Sequence, residues 1–222
     1  CGVNFPDILM IRNQYQFRPP LPFSPGGEIA GTVDAVGQEV TAFQPGDRVV
    51  ALTGWGGFAE YACVPVRRTF SLPADTDFIT GAATLYNYGT SFHALKDRAK
   101  LQPGETLLVL GAGGGVGLAA VELGAQMGAT VIAAASSPDK LELCRQKGAA
   151  HLIDYTASDL RTRIKELTAD RGIDVVYDPV GGGLTEPALR SMAWRGRYLV
   201  VGFAAGKIPE IPLHLILLKG CS

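Results

Sequence analysis

Histidine is scarce in this chain, cysteine is unpaired, and neither a block of one charge sign nor an apolar run of membrane-spanning length occurs. Of 222 residues, three are histidine and four are cysteine. Cys1, Cys63, Cys144 and Cys221 show no paired spacing. That excludes a disulfide framework and favours free thiols in a reducing compartment, with cytoplasm as the default location. His93, His151 and His214 lie far apart in the sequence, so the three or four closely spaced ligands of a zinc site are missing. These histidines are read as structural or surface groups. Charged residues make up 18% and sum to a net charge of -1, with the basic ones dispersed. No electrostatic footprint for nucleic acid or an anionic membrane results. The longest late apolar run, Ile211 to Leu218, is too short to cross a bilayer. There is no internal repeat and no flexible linker.

What is present is ample core material, 47% hydrophobic, and 28 glycines that fit βα turns better than a low-complexity tract. Thr106 to Ala135 organises the rest. Thr106–Leu110 is a short continuous apolar run after the Pro103-Gly104 turn, as expected of a strand buried on both faces of a parallel sheet. Gly111, Ala112, Gly113, Gly114, Gly115, Val116 and Gly117 then lead into a helix with Val116, Ala119, Ala120, Leu123 and Met127 on one face and Gly128 as its stop. Val131–Ala135 returns as a second strand. In such a βαβ unit the glycines serve a tight turn, approach to a pyrophosphate and close helix–strand packing, while the helix's free N–H groups face the anion. The spacing is not quite G-x-G-x-x-G, because a frame ending at Gly114 and Gly117 starts on Ala112. Strand before, helix after and strand beyond are what make the pattern specific.

Before this unit, residues 1 to about 75 carry Pro and Gly clusters between short extended runs at 28–36, 47–53 and 58–64, the signature of a compact β domain. From Phe78 to about Ala99 the pattern is helical. Beyond Ala135 the alternation continues with a helix from Ser137-Pro138 to Lys147, strand His151–Asp154, helix 158–168, strand 173–177, a Gly181-Gly182-Gly183 loop, helix 184–194 and strand 197–201. The fold class is therefore α/β, with parallel strands covered by helices on both faces. Ligands in such sheets sit at the carboxyl ends of the strands, where the glycine turn, Ser136, Asp178 to Gly183 and Gly202, Phe203 and Ala204 converge. The chain opens at Cys1 within an apparent element, stops soon after an apolar run, and shows five nucleotide-domain strands where six complete the sheet. A piece of a longer protein is expected.

The strings C-G-V-N-F-P-D, P-G-G-E, P-G-D-R-V, G-G-F-A-E-Y, L-G-A-G-G-G-V-G and V-V-G-F-A, in this order, resemble the medium-chain dehydrogenase/reductase superfamily and, within it, the zinc-free quinone oxidoreductase group. The resemblance implies a GroES-like catalytic domain over residues 1–85 and a Rossmann NADP-binding domain over 86–222, both truncated at their outer ends. It implies hydride transfer from NADPH and a homodimer paired through sheet edges, to which Ile208–Leu218 could contribute; the alternative for that run is core or interdomain packing. Zinc members carry Cys where this chain has Asn4 and His where it has Gly27, and the four-cysteine zinc lobe is absent, so the expectation is a metal-free enzyme.

An NAD-preferring fold places an acid at the end of the second strand. Here stand Ala135, Ser136 and Ser137, with Lys140 in the first turn of the next helix, where it opposes the helix dipole unless an anion is near. In the resembling family, residues matching Lys140 and Tyr155 contact the 2′-phosphate of NADPH. The alternative is a solvated Lys140 with Asp139 serving an NAD ribose. Asn4 and Tyr15 match family positions near the nicotinamide and are the candidate donors to an oxyanion or enolate, with Tyr15 or water supplying a proton. Their alternatives are a turn cap and a half-buried surface aromatic. Asn87 falls where relatives often carry Thr or Asn beside the nicotinamide, Gly202–Ala204 would lay backbone against its carboxamide, and Asp7 is assigned a structural, helix-capping role. The expected activity is NADPH-dependent reduction of a quinone or α,β-unsaturated carbonyl. A 2-enoyl-thioester (acyl-CoA) reductase, or a non-catalytic NADPH-binding protein, are the alternatives.

Overall fold

Pro and Gly punctuation in the first 75 residues leaves room for short strands only, and three form. The computed structural model describes Cys1–Ser222, which divide into two compact units, Cys1–Tyr86 and Asn87–Ser222. In the first, helix α1 (Phe5–Ile11) precedes an antiparallel sheet of β1 (Glu28–Thr32), β2 (Arg48–Leu52) and β3 (Thr69–Ser71), in that order. Helix α2 (Phe78–Ala82) packs on β1. The strand expected over 58–64 does not form. Backbone groups there and just before are spent on the 24–26 loop: Gly56 N donates to Ser24 O, Gly57 N to Gly26 O and Phe58 N to Pro25 O at 2.7, 2.9 and 3.0 Å. No ladder can use those donors, and β3 takes the place beside β2 instead.

The unit boundary falls inside α3 (Leu85–Phe92), which runs on as a π turn, His93–Arg98. The second unit then alternates β4 (Thr106–Leu110), α4 (Gly115–Gln126), β5 (Thr130–Ala135), α5 (Pro138–Gln146), β6 (His151–Asp154), α6 (Leu160–Leu167), β7 (Ile173–Asp178), α7 (Thr185–Arg190), β8 (Met192–Val200) and α8 (His214–Lys219). The five strands are parallel in the order β6-β5-β4-β7-β8. Chain direction across the sheet thus reverses between β4 and β7, and that switch point is where this class of sheet opens a crevice. The continuous apolar runs read in the sequence fill two cores, one on each face. Leu107, Val109, Val131, Ala133, Val175 and Tyr177 serve one; Leu108, Leu110, Ile132, Ala134 and Val176 serve the other. No helix is long and apolar enough to cross a membrane.

One helix is shorter than its spacing predicts. The expected 184–194 helix stops at Arg190, and β8 begins at Met192. Arg195 takes a φ of 64°, and the pairing of β7 with β8 slips there, from Ile173 opposite Met192 to Val175 opposite Arg197. A bulge of this kind turns apolar Trp194 out of the helical pattern and into an exposed strand position. The outer edge of β8 is met by Ser222, whose N donates to Gly196 O at 3.1 Å and whose O accepts from Tyr198 N at 2.7 Å.

A buried hydroxyl pair ties α3 to the sheet beneath α4. Ser91 Oγ donates to Val116 O and lies 2.8 Å from Tyr177 Oη, so the phenol donates to Ser91. Burial pushes the Tyr177 phenol up to about 12. Between pH 10 and about 12 the unfolded chain loses a proton that the folded one keeps, so stability present below pH 10 falls as pH rises, by about 2–3 kcal/mol from this group. Comparing urea midpoints at pH 9 and 11.5 should therefore show a steeper alkaline loss in the unsubstituted protein than in Tyr177→Phe. Equal losses would rule out Tyr177 as the source.

Candidate functional site

Two groups of residues carry the candidate chemistry, one in each unit. In the second unit the glycine turn caps β4. Gly111 makes the bend with a φ of 58°, and Ala112 is fully buried with its N donating to Ala134 O at 3.0 Å. The turn glycine therefore lies one residue before the slot that the spacing suggested, and Ala112 fills that slot without conflict. Gly117 supplies the close approach of α4 to the strand end: a Cβ there would stand 2.4 Å from Gly111 O and 2.9 Å from Ala112 Cα. In α4 the first amide to find a backbone carbonyl is that of Leu118, on Gly114 O at 2.7 Å. The N–H groups of Gly115, Val116 and Gly117 precede it and are the orphan donors of the helix end, an arrangement that suits a diphosphate. Gly114 is exposed, and its own N donates to Gly111 O at 3.0 Å.

Around the end of β5 lie Ser136, Lys140 and Tyr155. Lys140 lies across the glycine turn, for a Cβ on Gly113 would meet its Cβ, Cγ and Cδ at 2.5, 2.7 and 2.9 Å. Its side chain enters no ion pair. Tyr155 N donates to Ala135 O at 3.3 Å, which brings that residue alongside the exposed Ser136. The nearby acid at the end of β6, Asp154, is committed to its own turn, accepting from Thr156 N and Oγ1 at 2.8 and 2.6 Å; those bonds, the hydroxyl first, hold its carboxyl below the usual range. An anion at this corner would thus meet a lysine without a partner.

The carboxyl ends of β7 and β8 are laced together. Gly202 N donates to Asp178 O, Ala204 N to Pro179 O and Ala205 N to Val180 O, at 3.2, 3.1 and 2.9 Å. Of the three residues singled out in the sequence, Gly202 and Ala204 therefore have their amides occupied, and the Phe203 N–H has no backbone partner. Asp178 anchors this loop: 3% exposed, it accepts from Val180 N and Gly181 N at 2.8 Å, Thr185 Oγ1 at 3.0 Å and Tyr198 Oη at 2.7 Å. Burial first, then the Asp178 charge, raises the Tyr198 phenol, which stays a donor. Asn87 faces the start of α4, its Oδ1 2.5 Å from where a Gly115 Cβ would stand.

In the first unit, Asn4 precedes α1 and Asp7 caps it. Asp7 Oδ2 accepts from Asn4 N and Oδ1 from Gly26 N, both at 2.8 Å, which fixes the start of the helix to the P-G-G-E loop. Asn4 Nδ2 donates to Glu28 Oε1 at 2.8 Å, and Tyr86 N donates to Glu28 Oε2 at 2.9 Å. Glu28, at 1% exposed, thus holds two elements with one carboxylate. The Tyr86 ring lies against Gly27, where a Cβ would come within 2.4 Å of its hydroxyl oxygen. Burial raises the Tyr86 phenol, with Tyr15, Asp7 and Glu28 adding to the effect, so Tyr15 belongs to the same neighbourhood. Tyr15 is half-buried with its ring 5.9 Å from that of Phe17. Glu28 and Tyr86 were not singled out from the sequence. Glu28 had a signal, an acid at the head of an apolar strand; Tyr86, inside an amphipathic helix, had none.

Comparison with known proteins identifies the family. The zinc-binding dehydrogenase family model matches residues 115–222, and the alcohol dehydrogenase GroES-like domain model matches residues 1–74. The chain is 42% identical to a quinone oxidoreductase-like protein 2 homolog of Nematostella vectensis over its whole length, which is 61% of that protein. It is 38% identical to a Pseudomonas aeruginosa quinone oxidoreductase, covering 99% of this chain and 67% of the relative. Among solved structures, Escherichia coli quinone oxidoreductase complexed with NADPH superposes with a TM-score of 0.91 at 30% identity, covering 99% of this chain and 68% of that one. Two domain models in sequence order, relatives of this identity and a shared fold make the chain a quinone oxidoreductase-like member of the medium-chain dehydrogenase/reductase superfamily.

Proposed function

We propose that the protein containing this chain is an NADPH-dependent reductase of quinones or other α,β-unsaturated carbonyl compounds that works without a metal. The observation that carries the cofactor choice is Lys140, laid across Gly113 with no acidic partner, at a strand end that lacks a carboxylate of its own. Lys140, Ser136 and Tyr155 would hold the 2′-phosphate, and the N–H groups of Gly115, Val116 and Gly117 the diphosphate. Phe203 N and Asn87 are the groups we assign to the nicotinamide end. Bound NADPH would supply hydride; the chain's part is to place the acceptor and stabilise charge on its oxygen. Asn4 can do the latter, because Glu28 takes one of its two amide hydrogens and leaves the other free. The relatives and the NADPH complex support this reading. The metal-free part is supported by Gly27, where the Tyr86 ring fills the space that any larger side chain would need.

Lys140→Ala tests the cofactor assignment in the full-length protein. It should raise the KM for NADPH about tenfold or more while leaving that for NADH within about twofold, as expected for one lost charge-assisted contact of about 1.5–3 kcal/mol. Equal effects on both nucleotides would show that Lys140 does not read the phosphate. The same assay run in excess chelator should keep its rate, and a rate lost to chelator and restored by zinc would remove the metal-free part.

A further inference from the structure

Tyr86 is placed as a reacting group would be, although the family motifs leave it out. Its backbone N is tied to Glu28 Oε2 at 2.9 Å, while the same carboxylate's other oxygen holds the Asn4 amide at 2.8 Å. One buried acid therefore holds the Asn4 side chain and the Tyr86 backbone. The phenol ring reaches over Gly27, where a Cβ would lie 2.4 Å from Oη, 2.7 Å from Cε2 and 2.8 Å from Cζ.

The Tyr86 hydroxyl makes no hydrogen bond within the chain, as is also true of half-buried Tyr15 and Tyr155, whereas three other phenols are used: Tyr88 on Glu122, Tyr177 on Ser91 and Tyr198 on Asp178. No sealed side-chain polar atom lacks a partner, so the Tyr86 hydroxyl faces accessible space. A half-buried phenol, held at its backbone by the carboxylate that also holds the Asn4 amide and free at its oxygen, is arranged as a donor waiting for an acceptor from outside. We propose that the Tyr86 hydroxyl is a second hydrogen-bond donor to the carbonyl oxygen of the reducible substrate, set beside the Asn4 amide by Glu28.

This deepens the reductase reading and rests on it. Two donors converging on one oxygen stabilise the negative charge that develops there as hydride arrives at the conjugated system, and the site thereby selects acceptors that present a carbonyl oxygen. Burial, together with Tyr15, Asp7 and Glu28, raises the phenol, which keeps its proton at neutral pH and available for donation. Glu28 acts through the two donors and is a positioning residue; Tyr86 itself touches the substrate.

The test is Tyr86→Phe in the full-length protein, assayed with NADPH and a water-soluble 1,4-benzoquinone. The ring that packs on Gly27 is kept, so the thermal midpoint and the affinity for NADPH should be unchanged. The kcat should fall about tenfold to a hundredfold, at or below the loss seen when one oxyanion donor is removed elsewhere. Gly27→Ala, whose methyl must push the phenol aside, should lower kcat similarly in the unsubstituted background and little further in the Tyr86→Phe background, because both changes remove the same contact. A Tyr86→Phe enzyme with kcat within about twofold of the unsubstituted one would overturn the Tyr86 assignment and leave the reductase reading standing, since an oxyanion donor is worth far more than that. Absence of any NADPH oxidation by the unsubstituted protein, with every quinone or enone offered, would remove both.

Discussion

Replacing Gly117 by alanine in the full-length protein is expected to weaken binding of NADPH and NADH alike by about a hundredfold or more, equivalent to about 2.7 kcal/mol. Two effects oppose each other at this position. Alanine is the better helix former by about 1 kcal/mol, which on its own predicts a more stable α4. The added methyl, however, would lie 2.4 Å from Gly111 O and 2.9 Å from Ala112 Cα, atoms of the backbone that cannot rotate away. Overpacking against movable side chains already costs about 1–3 kcal/mol, so the clash outweighs the propensity gain. The start of α4 must then lift from the end of β4, and the three orphan N–H groups lose their aim.

Gly113→Ala is the control. Its methyl would stand 2.5 Å from Lys140 Cβ, which no side-chain rotation moves, so the first turn of α5 must shift and carry Lys140 with it. We expect Gly113→Ala to lower the affinity for NADPH more than that for NADH, because the group displaced is Lys140 and not the start of α4. Calorimetric titration with both nucleotides, alongside thermal unfolding, separates the two outcomes. Affinity for both nucleotides surviving in Gly117→Ala would mean that this bend does not hold the diphosphate.

Asp178→Ala should have the second large effect, a loss of about 3–5 kcal/mol in denaturant unfolding, because four donors lose one common acceptor. Val180 N, Gly181 N, Thr185 Oγ1 and Tyr198 Oη all end on its two oxygens, and the carboxylate is 3% exposed. Water cannot replace it without opening the loop. Tyr198→Phe removes one of the four and leaves Asp178 its other partners, so it should cost about 1 kcal/mol. The functional consequence follows from the lacing of this loop to residues 202–205: once 179–181 are released, the carbonyls that hold Gly202, Ala204 and Ala205 move as well. Nucleotide KM should therefore rise in Asp178→Ala even at temperatures where the protein stays folded. A denaturant midpoint within error of the unsubstituted protein would show that the loop is held by something other than this carboxylate.

Much of the second unit was legible because its determinants are local. A run such as Leu107–Leu110 can bury both faces only inside a parallel sheet, and Gly128 marks a helix stop through its own backbone freedom. Strand His151–Asp154 forms over the residues expected. Where the reading failed, the cause was a partner distant in sequence. Residues 58–64 have strand-like composition but join no ladder, with Phe58 at their head tied to the 24–26 loop, and the helix after Gly183 is cut short because β7 draws residues from Met192 onward into the sheet.

By itself the sequence determined the class of the molecule: apolar periodicity and glycine placement act over a few residues and settle strand, turn and helix wherever the chain is taken from. It also supplied the candidates Asn4 and Lys140, since residue type sets what a side chain can donate or accept. Only the tertiary structure decided which groups are free to act. It occupied the amides of Gly202 and Ala204, left Lys140 unpaired, and brought Glu28, 24 residues from Asn4 and 58 from Tyr86, to hold both. Whether a donor is spent or available depends on what packs against it in space, and no local pattern carries that information.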